Sequence, residues 1–399
     1  MTIAYPSRDC PICGSAERRV FFRQQFAAVD QATPVTGYDV VVCERCGGGY
    51  ADGIPDQRAF DRYYRDMSKY EYAQRGGAES EYDSRRLNLI AGIVAPHLES
   101  MDLRILDVGC ASGRLLANLR DRGFVSVIGL DPSPACAAAA ARLYGIDVRT
   151  MTLAEIARAG ARFDLVIMVG VLEHLRDLDD AFDDLRAVLS PAGLLYVEVP
   201  DVTAFADWAN APYQDFSTEH VNFFSPISLS NLMRRHGFAR VFQEQNHREQ
   251  SYRTVMSNLS AVYRKEEVSA QRETPFDPDT ARGLERYLLQ CAEGDERLRA
   301  AIDAVVEGRR RILVWGVGTH TGRLMATSRL AEADIVAFVE SNSRYHGKTL
   351  QGRPILAPEA LKDHPEPVLV SSRVFQKEIA EQIRNDLGCS NELILLYDV

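Results

Sequence analysis

The chain has 399 residues, of which 46% are hydrophobic and 26% are charged, and its formal net charge is −10 at pH 7. This length and composition predict a globular protein of two or three domains. The acidic balance argues against broad binding to the phosphate backbone of nucleic acids. The chain has no apolar run near the ~20 residues that span a bilayer and no signal-peptide core, so we expect a cytoplasmic protein that binds neither nucleic acid nor membranes.

Two C-x-x-C pairs lie near the start of the chain, at Cys10, Cys13, Cys43 and Cys46. Four thiolates in two such turns suit tetrahedral zinc, and a site without a position for water is typically structural. The residues between the pairs include β-forming runs at 21–28 and 38–43, which can fold as a hairpin. A redox motif and a nucleic-acid zinc ribbon are the alternatives. We predict a zinc-binding module over residues 1–75.

Four tyrosines follow within a window of ten residues, at Tyr63, Tyr64, Tyr70 and Tyr72. They form either a half-exposed packing face or an aromatic cover over a bound ligand, and both interpretations stay open. Six basic residues in the same region could hold a diphosphate or could form a solvated helix face. These are Arg62, Arg65, Lys69, Arg75, Arg85 and Arg86.

The stretch 104–131 predicts a nucleoside site. Residues 105–108 read as a buried strand, 109–113 as a turn with glycine at both ends, 114–122 as a helix, and 125–130 as a second strand that ends at Asp131. Glycines let the backbone approach a ligand, the helix N-terminus offers free N–H groups, and an acid at the strand end can accept ribose hydroxyls.

The chemistry of this turn distinguishes it from a dinucleotide site. The turn reads D-x-G-x-x-x-G, whereas dinucleotide sites usually read G-x-G-x-x-G. A carboxylate at Asp107 would repel a pyrophosphate and would suit a ligand that carries an amino or sulfonium cation. A generic Rossmann site for an unknown nucleotide is the alternative.

At residues 106–113 and at Asp131 the chain resembles class I S-adenosylmethionine (SAM)-dependent methyltransferases. The resemblance implies SAM as cofactor and an adenine edge beside Thr150 and Met151. On this resemblance, the residues expected to bind the cofactor are Asp107, Gly109, Cys110, Gly113, Asp131, Pro132, Thr150, Met151, Val169 and Tyr70.

The pattern of residues 76–265 predicts the methyltransferase core. Helices are predicted at 80–98, 135–144, 181–189 and 227–235, and a loop at 190–193 is predicted to end the third of them. Further strands are predicted at 147–151, 163–168 and 194–199, with a closing antiparallel pair at 241–245 and 259–265. Strands that alternate with helices of this length give an α/β fold, a doubly wound sheet with ligands at the carboxyl ends of its strands.

Two histidines fall after such strand ends. His174 follows the fourth strand in the sequence V-L-E-H, and it either packs against the SAM loop or takes part in the chemistry. His220 follows the fifth strand, beside Glu219 and among aromatic residues in a long loop. A polar pair at a catalytic rim is typical of a functional loop. We therefore name His220, Glu219 and His174 as candidate catalytic residues.

The order of modules resembles the zinc-binding sugar C-methyltransferases, which methylate a carbon of a nucleotide-linked ketosugar. This resemblance spans essentially the whole chain and implies that His220 removes the proton alpha to a carbonyl, with Glu219 orienting it or anchoring the sugar. That family commonly has Tyr where this chain has Ser217, so one of the tyrosines of the 63–72 window would have to supply the phenol. Methylation of an oxygen or nitrogen of a sugar or natural product is the alternative.

The rest of the chain predicts a helical linker over 266–308 and a Rossmann-like domain over 309–399. Its glycine turn, Gly316–Gly318, precedes a strand that ends at Glu340. The turn either binds a second nucleotide, with His320 and Glu340 in the site, or belongs to a degenerate fold that shapes the cleft. A nucleotide-dependent dehydrogenase or a binding module would be a function of a different class. The sequence is compatible with a monomer and with a dimer.

Overall fold

The computed structural model describes residues 5–30, 32–67, 76–208, 210–267 and 274–398. Within these ranges the chain forms three β-sheets of four, seven and six strands. Tyr70, Tyr72, Lys69 and Arg75 lie outside the described residues. No helix in the described ranges is long and apolar enough to cross a membrane.

The first sheet joins the N-terminal module to a distant part of the chain. Its strands are antiparallel, in the order β1-β2-β3-β9, and they span Arg18–Gln25 (β1), Gly37–Cys43 (β2), Gly49–Asp52 (β3) and Asn222–Phe223 (β9). Val40 and Val41 of β2 are fully buried. The fourth strand comes from the loop that carries Glu219 and His220, so this loop is part of the sheet of the N-terminal module.

The central sheet has the order β10-β11-β8-β7-β4-β5-β6. Its strands span Ile105–Val108 (β4), Val127–Leu130 (β5), Val148–Arg149 (β6), Phe163–Val169 (β7), Leu189–Pro200 (β8), Phe238–Ser251 (β10) and Thr254–Lys265 (β11). Strands β4 to β8 are parallel, and β11 and β10 close the sheet antiparallel. This arrangement confirms the predicted α/β fold.

Two element predictions in this sheet were wrong. Strand β6 has two residues instead of five, because Thr152 caps the next helix by accepting the N–H of Glu155 and so ends the strand early. Residues 190–193 were expected to be a loop after a helix, yet they belong to β8. Ala192 has a φ of +57° there, and the pairing between β7 and β8 shifts its register.

The helices lie on both faces of the central sheet and along the C-terminal domain. They span Gln57–Met67 (α1), Glu81–Val94 (α2), Arg114–Arg120 (α3), Pro134–Tyr144 (α4), Leu153–Arg158 (α5), Leu178–Val188 (α6), Pro226–Arg235 (α7), Pro278–Glu307 (α8), Thr319–Thr327 (α9) and Gln376–Glu381 (α10). Short 3₁₀ segments include Ala95–His97, Leu172–His174 and Val202–Asp207.

The C-terminal sheet has the order β14-β15-β13-β12-β16-β17. Its strands span Ile312–Trp315 (β12), Ile335–Val339 (β13), Thr349–Leu350 (β14), Arg353–Leu356 (β15), Val368–Val370 (β16) and Leu393–Leu395 (β17). All neighbours pair in parallel except β14 with β15.

Helix α8 connects this sheet to the rest of the molecule by packing rather than as a free tether. Its N-cap, Asp277, is fully buried and accepts the N–H groups of residues 279 and 280. The same carboxylate accepts the hydroxyl of Ser225 at 2.6 Å, and the Asp277 N–H donates to the carbonyl of Cys46 at 2.8 Å. The cap therefore joins the cysteine module, helix α7 and helix α8.

We expect Asp277→Ala to lower the free energy of unfolding by about 2–4 kcal/mol. The substitution removes a helix cap, worth about 1 kcal/mol, and leaves the buried hydroxyl of Ser225 without its acceptor. Urea unfolding measures the change. Asp303→Ala, near the C-terminal end of the same helix with a side chain 43% exposed, is the control, and an equal loss in both variants would contradict the capping role.

Candidate active site

The loop after β4 is closed tightly over the ends of the neighbouring strands. Gly109 and Gly113 have φ values of +74° and +75°, a region that glycine adopts without strain. The N–H groups of Gly109 and Cys110 donate to the carbonyl of Leu130 at 2.8 and 3.1 Å. A Cβ on Gly109 would lie 2.9 Å from a methyl group of Val171. Glycine is therefore required for this path, which leads into helix α3.

Two buried acids stand at this edge of the sheet. Asp107 and Asp131 are 3% and 6% exposed. The carboxylate of Asp131 accepts the N–H of Ala111 at 3.0 Å and the N–H of Ser133 at 2.9 Å, which fixes its orientation. Burial, together with the charge of Asp131, raises the pKa of Asp107 well above its usual value. A cationic ligand would relieve this strain, so the donor set fits the ammonium, sulfonium and ribose groups of SAM.

The other predicted cofactor residues lie along the same edge. Pro132 is exposed just before the N-cap of α4, Thr150 is exposed just after β6, and Met151 is half-buried against the core. Val169 ends β7 and is half-buried. The predicted contact Tyr70 lies outside the described residues.

Cys110 also serves the packing of the sheet. Its side chain is buried and lies over Gly129, where a Cβ would come within 2.3 Å of the Cys110 sulfur. Burial raises the pKa of the thiol well above its usual value, so the side chain is neutral. Gly129 was not named from the sequence, although a glycine within an apolar strand can indicate such close packing.

The two predicted histidines meet at the adjacent strand ends. The His174 and His220 rings have centroids 5.0 Å apart. Nδ1 of His174 lies 3.0 Å from the carbonyl oxygen of Glu219 and 2.9 Å from the hydroxyl of Tyr64. His174, Glu219 and His220 thus form one cluster, although β8 lies between the first and the other two in the sequence.

Helix α1 brings phenols to this cluster. The hydroxyl of Tyr63 donates to Glu219 Oε1 at 3.0 Å, and Tyr64 contacts His174. Burial and the charge of Glu219 raise the pKa of Tyr63 well above its usual value, so its hydroxyl keeps its proton. Ser217 has a different role: its Oγ accepts the N–H groups of Glu219 and His220 at 3.2 and 3.0 Å and shapes the turn that presents them.

Every module of the protein contributes to the position of this loop. The carbonyl of Phe216 accepts Gln24 Nε2 at 2.8 Å, and the carbonyl of Ser217 accepts the Tyr38 hydroxyl at 2.8 Å. From the C-terminal domain, Thr319 Oγ1 lies 3.2 Å from Thr218 Oγ1. The central domain binds the loop through the N–H of residue 221, which donates to the carbonyl of residue 173 at 2.7 Å.

Arg8 completes these contacts, and sequence reasoning did not identify it. The side chain is 7% exposed, and its guanidinium donates to the carbonyls of Ala51 at 2.9 Å, Arg176 at 2.9 Å and Val221 at 2.5 Å, and to Asn222 Oδ1 at 2.9 Å. It therefore binds the first sheet to the residues that follow His220. One arginine eight residues from the N-terminus carries no local pattern that would reveal this.

Arg86 is engaged within the protein and does not form part of a free basic patch. It bonds Glu198 at the end of β8, with Nε to Oε1 at 2.8 Å. Burial alone would raise the pKa of Glu198, but the charges of Arg86 and Arg248 and the hydrogen bonds from Arg86 and Ser260 together outweigh it, so the pKa is lowered. Arg65 and Arg85 also pair with neighbouring acids. The predicted diphosphate-binding role therefore finds no support in these three side chains.

The four cysteines of the N-terminal module come together. Their sulfur atoms all lie within 4.8 Å of one another, with Cys10 and Cys46 at 3.6 Å and Cys13 and Cys43 at 3.5 Å. Zinc–sulfur bonds of about 2.3 Å require tetrahedral edges of roughly 3.8 Å, so the geometry fits zinc. Each pair is followed by a glycine with positive φ, Gly14 or Gly47, which closes the turn.

The C-terminal glycine turn repeats part of the SAM-loop geometry. Gly316 has a φ of +107°, and the N–H of Val317 donates to Glu340 Oε2 at 3.1 Å, as the N–H of Ala111 does to Asp131. His320 points into the protein, where its Nε2 lies 2.7 Å from the hydroxyl of Tyr397, and burial lowers its pKa to about 3. His320 is therefore neutral and internal.

Known proteins share parts of this architecture. Residues 71–243 match the family described as "Methyltransferase domain", and residues 308–395 match the family described as "C2185-like, N-terminal". The chain carries a class I SAM-dependent methyltransferase domain.

Curated relatives of this methyltransferase domain cover only part of the chain. A ubiquinone biosynthesis O-methyltransferase from Rhizobium rhizogenes is 36% identical over 100 residues, which are 24% of this chain and 40% of that protein. A probable S-adenosylmethionine-dependent methyltransferase from Mycolicibacterium smegmatis is 31% identical over 167 residues, 41% of this chain and 62% of that protein. The chain thus spans about two fifths of the first of these relatives. Among solved structures, the [4+2]-cyclase SpnF is similar, with 17% identity, a TM-score of 0.42, and coverage of 53% of this chain and 97% of SpnF.

We expect Asp107→Asn to weaken SAM binding by about 10- to 100-fold, because the neutral amide no longer attracts the cation. In the free protein the pKa of Asp107 is raised, and the cation favours the ionised form, so binding to the wild type should release protons and tighten as pH rises. Calorimetry in buffers of different ionisation enthalpy measures both effects. Asp164→Asn, at the opposite end of the sheet, is the control, and unchanged affinity with unchanged proton release would contradict this role of Asp107.

Proposed function

We propose that the protein transfers a methyl group from SAM to a carbon alpha to the carbonyl of a nucleotide-linked ketosugar. The observation that carries this proposal is the cluster of His220, His174 and Glu219 with the phenols of Tyr63 and Tyr64. It lies at the carboxyl ends of the strands beside the SAM loop, where ligands of such sheets bind.

Methylation of this carbon needs a general base, a hydrogen-bond donor to the enolate oxygen and an electrophilic methyl group. His220 would take the alpha proton, and the electron pair of that C–H bond would then form the new carbon–methyl bond. Bound SAM supplies the electrophilic methyl group and leaves as S-adenosylhomocysteine. The phenol of Tyr64 would donate to the oxygen of the developing enolate, because the O–H of Tyr63 already donates to Glu219. Glu219, oriented by Tyr63, would anchor the sugar or direct the imidazole.

A cavity near these elements does not suit a diphosphate. It measures about 270 Å³ and lies between the start of α2, the β10–β11 hairpin and the C-terminal domain. Three carboxylates line it, at Glu79, Glu81 and Glu378. Their negative charge would repel a nucleoside diphosphate, so that group of the acceptor must bind elsewhere.

Methylation of an oxygen is the second candidate, and the curated relatives favour it. One of them is named an O-methyltransferase, and its similarity to this chain is confined to the methyltransferase region. In that case the same base would deprotonate a hydroxyl group. The position of the methyl group in the product, located by NMR, separates the two candidates.

We also propose that Cys10, Cys13, Cys43 and Cys46 hold a structural zinc ion. The four-sulfur donor set and its edge lengths support this assignment. The ion would stabilise the module that binds the Phe216–Asn222 loop through Arg8, Gln24 and Tyr38.

The enolate step predicts exchange with solvent. In heavy water, with S-adenosylhomocysteine in place of SAM, the wild type should incorporate deuterium at the alpha carbon of a nucleotide-ketosugar. His220→Asn should lower that exchange by about 100-fold, within the usual range for a general base. His97→Asn, a half-buried histidine remote from the loop, is the control. Methyl transfer to carbon without exchange in any substrate would contradict the mechanism.

Cys13→Ser should abolish stoichiometric zinc binding. It should also reduce methyl transfer, although Cys13 does not belong to the catalytic cluster of His174, Glu219 and His220. Zinc binding contributes roughly 10–16 kcal/mol in small peptides, so we expect the free energy of unfolding to fall by at least about 3 kcal/mol. Metal analysis and urea unfolding measure the two effects. Cys389→Ser, a half-buried thiol in the C-terminal domain, is the control. Full stability without metal would contradict a structural ion.

A further inference from the structure

We propose that Glu173, His174 and His220 form a second site for a divalent transition-metal ion at the catalytic rim. One carboxylate oxygen and one ring nitrogen from each histidine all lie within 4.8 Å of one another. Two imidazoles and one carboxylate are a ligand set that binds divalent transition metals and leaves coordination positions open.

The hydrogen bonds of His174 leave Nε2 as the nitrogen that could bind a metal ion. Its Nδ1 lies 3.0 Å from the carbonyl oxygen of Glu219, which can only accept a hydrogen bond, and 2.9 Å from the hydroxyl of Tyr64, which can accept one as well as donate it, so a proton on Nδ1 satisfies both contacts. The lone pair is then on Nε2, which faces Glu173 Oε1 at 4.0 Å. A histidine whose other nitrogen donates to a carbonyl is the usual arrangement around a bound metal.

The carboxylate of Glu173 supplies the second, independent observation. The residue is 4% exposed, and its Oε2 has no hydrogen-bond partner in the part of the chain that the structure describes. A buried carboxylate oxygen without a partner is costly, and a cation between the carboxylate and the two rings would satisfy it.

The surrounding charges favour a cation by a small margin. Arg86 and Arg248 act on Glu173, but both also act on Glu198, and Arg86 is hydrogen-bonded to it. Among the residues that the structure describes, the carboxylates that act on or contact this site are Glu173, Glu198 and Glu219. Three carboxylates against two guanidinium groups leave one negative charge for the site.

Metal binding would require the three ligand atoms to move slightly closer together. Metal–ligand bonds of about 2.0–2.2 Å place neighbouring ligand atoms roughly 3.0–3.5 Å apart, less than the separations here. Glu173 and His174 are buried in the segment after β7, whereas His220 is half-buried, so the approach would come from rotation of the His220 side chain and not from movement of the loop.

Occupation of this site would compete with the proposed base, a consequence that rests on the proposed function. Coordination through either nitrogen of His220 leaves the ring with a metal on one nitrogen and a proton on the other. The imidazole then has no lone pair with which to accept a proton from the acceptor. A bound ion would therefore inhibit methyl transfer.

Equilibrium dialysis with Co²⁺ tests the site on the full-length, zinc-loaded protein without a histidine tag. We expect one cobalt equivalent in addition to retained zinc, with the visible absorption of a nitrogen- and oxygen-ligated ion. Glu173→Gln and His174→Asn should each weaken cobalt binding by at least about 10-fold, and His97→Asn should not. Zinc content and unfolding curves verify that the variants keep their fold.

Absence of the additional equivalent, or its persistence in both variants, would overturn the proposed site. The activity assay separates this outcome from a failure of the proposed function. Cobalt binding by a protein that transfers no methyl group even when cobalt is absent would leave the site intact and overturn the function. Full activity with the site loaded would overturn the assignment of His220 as base.

Discussion

The loop from Phe216 to Asn222 depends on hydrogen bonds from outside its own domain. Buried carbonyl and N–H groups must be paired, and here the partners come from Gln24, Tyr38 and Arg8 of the N-terminal module and from Thr319 of the C-terminal domain, whose Oγ1 accepts the N–H of Thr218. A loop of this length would otherwise sample many conformations. The position of Glu219 and His220 is therefore a property of the whole chain.

The methyl-donor site differs from this loop, because its residues are close to one another in the sequence. Asp107 lies before the glycine turn, and Asp131 ends the next strand and accepts an N–H from that turn. Two carboxylates buried at neighbouring strand ends raise each other's energy, and a cationic nucleoside lowers it. The strain that the free protein stores at Asp107 thus contributes to the affinity for the donor.

This difference explains what the sequence could predict. The strand, glycine turn, helix and acid of residues 105–131 are encoded in one stretch, as are the two C-x-x-C turns. The meeting of His174 with His220 could be expected from their places after neighbouring strands. The pairing of Gly49–Asp52 with Asn222–Phe223, the contact of Arg8 with Val221 and the contact of Tyr63 with Glu219 could not, because they join residues more than 150 positions apart. The two wrong element predictions, at 147–151 and 190–193, fall where a helix cap and a strand irregularity override local propensity.

A crystal structure with S-adenosylhomocysteine tests the central claim most directly. The account predicts that the amino group lies beside Asp107, that the ribose hydroxyls meet Asp131, and that the sulfur faces the cluster of His174, Glu219 and His220. A ligand bound elsewhere, or a sulfur directed away from these side chains, would contradict it.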